Sequence, residues 1–174
     1  VEFNPARVGA YRLIGYENRI LAAEDFNDDT KDAGEIGAGH AVTALYELVP
    51  AGAAIDLPNV DELKYQQPKQ AAETSMSGET LTLKLRYKQP DGDTSKKLEF
   101  PVVDDGKPWT QASQDFRFAA AVASFGMLLR DSEHKGETSF DAVAEWAQEG
   151  LGDDQSGYRK EFLELVGKAE ALKR

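Results

Sequence analysis

The chain has 174 residues, a net charge of −11 and no cysteine. Disulfides, thiolate catalysis and cysteine-based zinc sites are therefore excluded. With no basic stripe to displace counterions from phosphates, the acidic balance speaks against nucleic acid and against an anionic membrane surface. No apolar run approaches the ~18 residues a spanning helix needs.

The length suits one domain or two small ones. The opening VEFNP carries no initiator Met and is already strand-like, so the expectation is a piece of a longer protein. Ala10–Tyr16 and Ala41–Val49 carry β-branched and aromatic residues and read as strands. Between them lies EDFNDDTKDAGEIGAGH. Its carboxylates Glu24, Asp25, Asp28, Asp29, Asp32 and Glu35 share a single cation, Lys31. Such crowding costs folding energy unless a cation, a basic partner or water relieves it. Residues 63–66 suggest one more short strand, and 67–79 a polar loop.

The clearest signal is a hairpin over 80–103. Leu81, Leu83, Leu85 and Tyr87 alternate with Thr82, Lys84 and Arg86, the pattern of a strand with one dry and one wet face. Pro90–Asp93 is a turn, and Lys97–Val102 returns. Beyond Trp109 the period becomes helical. Residues 116–129 are apolar nearly all round, as in a helix at the centre of its layer. A capping box at Thr138 and Asp141 starts a second helix, which stops near Gly150. A third begins around Ser156, with Tyr158, Phe162, Leu165, Val166, Ala169 and Leu172 on one stripe. The fold class expected is α+β: an antiparallel sheet or small β-sandwich followed by a three-helix layer. Its β-rich part is 1–104 and its helical part 105–174. The two are expected to share one core, because two helical neighbours cannot cover every apolar face of 116–129.

No motif supplies a reacting centre. In a calcium loop beginning at Asp25, Asn27 and Asp29 fall correctly, but Thr30 stands where glycine is needed and Ile36 where glutamate is needed. Asp91, Asp93 and Ser95 fail likewise, with Lys96 at the glycine position, and read better as a turn. The two histidines, His40 and His134, fall in different halves. His134 reads as a surface loop residue and His40 as the opening of a strand. Gly34, Gly37 and Gly39 lack the Gly-Lys-Ser/Thr of a phosphate loop and follow an acidic lead-in. They read as backbone freedom before a strand. No Gly-x-Ser-x-Gly is present. Trp109 and Trp146 read as core anchors. Catalytic, cofactor and metal residues are therefore assigned as none.

The run from Val1 to Asp29, continuing DAGEIGAGHAVTALYELVP, resembles the opening of a bacterial domain found C-terminal to a von Willebrand factor A module in YfbK-type proteins. Tyr11–Arg19 (YRLIGYENR) is its most specific stretch, and FRFAAAVASFGMLLRDS is similar to that family's first long helix. The resemblance covers nearly the whole chain and carries no catalytic residue. It implies a neighbouring A-module as partner and a cell-envelope setting, periplasmic or membrane-anchored through the parent chain. The function expected is a non-catalytic interaction or support domain. The alternative is a calcium-responsive module using the loop 24–35, and a carboxylate-based hydrolase ranks last.

Overall fold

The computed structural model describes residues 1–15, 22–31, 39–53 and 77–173. The expected strand at 63–66 lies outside them. The chain divides into two compact units, Val1–Val42 with Tyr46–Asp105, and Thr43–Leu45 with Gly106–Arg174. The class is α+β, with antiparallel sheets of three and two strands followed by three helices.

Five strands are described: β1 (Glu2–Phe3), β2 (Val8–Ile14), β3 (Leu45–Pro50), β4 (Leu81–Tyr87) and β5 (Lys96–Val102). One sheet has the order β1-β4-β5, and the other pairs β2 with β3. The hairpin forms as its alternation requires, with Leu81 opposite Val102, Leu83 opposite Phe100 and Leu85 opposite Leu98. Its turn closes through the Gly92 amide, which donates to Gln89 O at 2.9 Å. Val102 O accepts from Thr80 N at 2.7 Å, although Leu81 is its ladder partner. Residues 80 and 81 therefore form a bulge at the foot of β4. Phe3 joins the two sheets, its ring 4.2 Å from that of Tyr11 and 5.3 Å from that of Tyr46. Arg12 on β2 meets Glu47 on β3 at 2.6 Å. The expected strand at 41–49 starts later, because β3 opens at Leu45 and 41–44 run as irregular backbone. The expected 10–16 strand is shifted toward the N-terminus, to Val8–Ile14.

The helical unit holds α1 (Gln114–Leu129), α2 (Phe140–Glu149) and α3 (Tyr158–Lys173). Ala121, Leu128, Val143, Ala147 and Val166 form its buried core. Phe125 stands edge-on to Phe140 and to Phe162, with 6.1 Å and 5.3 Å between centroids. Such edge-to-face pairs add about 0.5–1.5 kcal/mol each beyond area burial. The Trp109 and Trp146 rings lie 5.3 Å apart, tilted by 53°, and Trp146 packs on the core. On α1, Val122 and Leu129 remain 42% and 50% exposed, so the helix keeps an apolar face that α2 and α3 leave open.

Two helix starts differ from the sequence reading. Ser139, not Thr138, is the N-cap of α2, its hydroxyl accepting from Ala142 N at 3.2 Å. Phe140 is then the first helical residue, and its ring packs on Phe125. α3 starts at Tyr158, two residues past the expected Ser156, and the Asp154 carboxylate accepts from its first-turn amides, Arg159 at 3.1 Å and Lys160 at 2.9 Å. Ser156 lies in the turn between them. Gly150 ends α2 with φ −89°, outside the left-handed region that motivates glycine at a helix C-terminus. Its requirement is space: a Cβ there would lie 2.6 Å from Phe118 N on α1.

Candidate interaction surface

The acidic stretch folds back on the wet face of the hairpin. Residues Ala23–Asn27 make a short 3-10 helix, which delivers Asp28 and Asp29 into a turn. Asp29 is the centre of the contacts. Arg86 Nη2 reaches its carboxylate at 2.7 Å, Ser95 N donates at 3.3 Å, and the Ser95 hydroxyl also donates. Arg86 Nη1 donates to Phe26 O at 2.7 Å, and Lys88 Nζ to Asp29 O at 2.6 Å. The Ser95 hydroxyl, helped by Arg86 and Lys88, holds the Asp29 carboxyl below the usual carboxylate range. The Thr30 hydroxyl and amide do the same for Asp28. Lys31 pairs with Asp25 at 3.1 Å.

At Asp25 and Asp29 the like-charge crowding read from the sequence is relieved by the protein's own cations. Of the calcium-loop candidates, Asp25 faces Lys31, Asp29 faces Arg86, and the Asn27 amide oxygen lies 3.5 Å from Arg86. Asp32, Glu35, Gly34 and Gly37 lie outside the described residues. Among the described residues no group of three or more carboxylates or histidines is placed to hold a metal ion. Arg86, Lys88 and Ser95 were not singled out from the sequence as partners of the loop. The available signal was the placement of Lys84 and Arg86 on one wet strand face of a chain whose acids outnumber its bases.

His40 and His134 are both exposed and belong to different units. Gly39 has φ +79°, the left-handed conformation expected of the glycine segment. Asp91 and Asp93 lie in the hairpin turn region. A cleft of about 130 Å³ beside β1 is lined in part by Glu2 and Glu79. The Glu2 carboxylate is engaged by Lys84.

The other face of the hairpin is apolar and open. Leu85, Leu98, Phe100 and Val102 are 42–46% exposed, and Tyr87 joins them at 43%. Their cross-strand register makes the exposure contiguous rather than scattered.

The family model for the C-terminal region of the uncharacterized protein YfbK matches residues 1–172. The chain belongs to the YfbK C-terminal family. It is 42% identical over 172 residues to the uncharacterized protein YfbK of Escherichia coli (strain K12). The match covers 99% of this chain and 29% of that protein, so the YfbK C-terminal domain is one part of a larger protein there. No solved structure matches the chain. Neither the family nor this relative carries an enzymatic name. Among the described residues no helix is long and apolar enough to cross a membrane.

Proposed function

We propose that this domain is a non-catalytic interaction and support module that docks on the remainder of its own longer protein. The observation that carries this reading is the open ladder of Leu85, Leu98, Phe100 and Val102 on β4 and β5. A contiguous apolar face on an otherwise acidic domain gains free energy by being covered, at roughly 25 cal/mol per Å² buried. The opposite face is already tied to the acidic loop through Arg86 and Lys88. By the family resemblance, the partner proposed is a von Willebrand factor A module of the same chain, in a cell-envelope setting.

The test is co-purification of this domain with the rest of its parent protein, supplied as a separate chain. Association is expected, and Phe100→Asp or Leu98→Asp weakens it at least tenfold without lowering the unfolding midpoint. Both residues are half in water, so the charge costs the isolated fold little. No association overturns the proposal. Cell fractionation of the full-length protein tests the setting.

A further inference from the structure

We infer that the residues entering Val1 in the longer protein continue β1 as an added strand along the edge of β4. This deepens the docking reading and rests on it for the identity of the partner chain. β1 is two residues long, whereas β4 runs for seven. Glu2 stands opposite Thr82 and Phe3 opposite Leu81, in antiparallel register. β1 therefore covers only the start of β4, and its N-terminal end points along the remainder, which pairs with no other strand on that side among the described residues. Asn4 N donates to Thr80 O at 2.9 Å, which fixes the alternation. Every second residue of β4 turns its amide and carbonyl toward the β1 side, so Thr82, Lys84 and Arg86 do. Among the described residues, Lys84 and Arg86 have no strand opposite them on that side.

The two outer edges of this sheet are treated differently. On β5, Pro101 stands opposite Thr82, so its missing N–H falls on the strand's outer side. Pro101, with Lys96 and Lys97 at the other end of β5, blunts that edge against further pairing. The edge of β4 beyond Glu2 carries no proline. Its two charged side chains are directed to partners within the domain, Lys84 to Glu2 and Arg86 to Asp29. The Glu2–Lys84 contact already extends diagonally past the last paired residue of β1.

The occupant is the upstream segment because the family is the C-terminal part of its protein and the relative is more than three times as long as the match. The register then places the residue directly before Val1 opposite Lys84, and the third residue before it opposite Arg86. Side chains of the second and fourth residues before Val1 would join the face of Leu85 and Tyr87, and so would be apolar.

The test is amide exchange in the intact parent protein. The Lys84 and Arg86 amides are expected to be protected, and proline at the residue directly before Val1 is expected to accelerate their exchange. The acceleration is on the order of 100-fold, the cost of proline inside a paired segment. Exchange at Lys84 and Arg86 as fast as in an unpaired segment overturns the inference, and this wild-type measurement does not depend on the variant folding. Protection that the proline leaves unchanged overturns it too, since another segment would then supply the partner. Co-purification together with unprotected Lys84 and Arg86 would leave the docking face standing and remove only the added strand.

Discussion

Replacing Gly150 by alanine probes the closest approach in the helical unit. The added Cβ would sit 2.6 Å from Phe118 N, 2.8 Å from Gln114 O and 2.8 Å from Phe118 Cβ. Two of these atoms are backbone, so no rotamer change clears them. To reach the 3.4 Å at which ordinary contact begins, α1 and the end of α2 must part by about 0.8 Å. A gap of that size forfeits a quarter to a half of the dispersion well at each separated contact. The core residues Ala121, Val143 and Ala147 lie between these two helices. The expected loss is about 3 kcal/mol, at the upper end for overpacking. For a chain of this length that is a fall in melting temperature of about 6–12 °C. Both tryptophans, Trp109 and Trp146, lie in the helical unit, so fluorescence in a urea titration reads that unit directly. Gly126 and Gly167 serve as controls, because a Cβ at either meets nothing within 4 Å. Alanine there is expected to stabilise by about 0.5–1 kcal/mol through helix propensity. Gly150→Ala within about 0.5 kcal/mol of wild type would refute the close-approach argument.

Arg159 on α3 ties α1 to the end of α2, donating to Gly150 O at 2.5 Å, pairing with Asp115 and lying 4.7 Å over the Phe118 ring. Arg159→Ala is expected to cost about 2 kcal/mol by urea titration, mostly from the Gly150 and Phe118 contacts, since Asp115 is well exposed. Arg159→Lys should recover less than half, because lysine lacks the planar fork. Asp29→Asn should destabilise the hairpin unit at neutral pH. The Asp29 carboxyl is depressed in the folded state, so its contribution is present above the unfolded value near 3.9 and is lost as pH falls through the folded value. Unfolding midpoints of wild type and variant should therefore converge below about pH 4, and a gap independent of pH would assign the effect to packing. Calorimetric titration with millimolar calcium is expected to be flat, and saturable heat would show that the loop ligates calcium despite its internal ion pairs.

Elements whose signal is local were legible in the residue order. The alternation of Leu81, Leu83, Leu85 and Tyr87 gave the hairpin, and the apolar stripes gave three helices, because side-chain period and backbone geometry are directly coupled. Boundaries were less so. Thr138 and Ser139 are chemically alike, and only the folded backbone shows which hydroxyl meets a free amide, that of Ser139 with Ala142 N. The Asp154 carboxylate has no local signature, since it reaches forward across a turn to the amides of Arg159 and Lys160.

The residue order alone dictates an acidic, cysteine-free chain with a two-faced hairpin, and a loop whose charges need relief. Folding decides who relieves them. The choice of Arg86, Lys88 and Ser95 for Asp29 joins positions 57 to 66 residues apart, a separation at which pattern carries no pairing information. The same holds for Gly150, which reads as a helix stop and proves to be the point where a second helix leaves no room for a Cβ. Distant partners are selected by three-dimensional proximity, and that exists only once the sheet and the helices have closed on themselves.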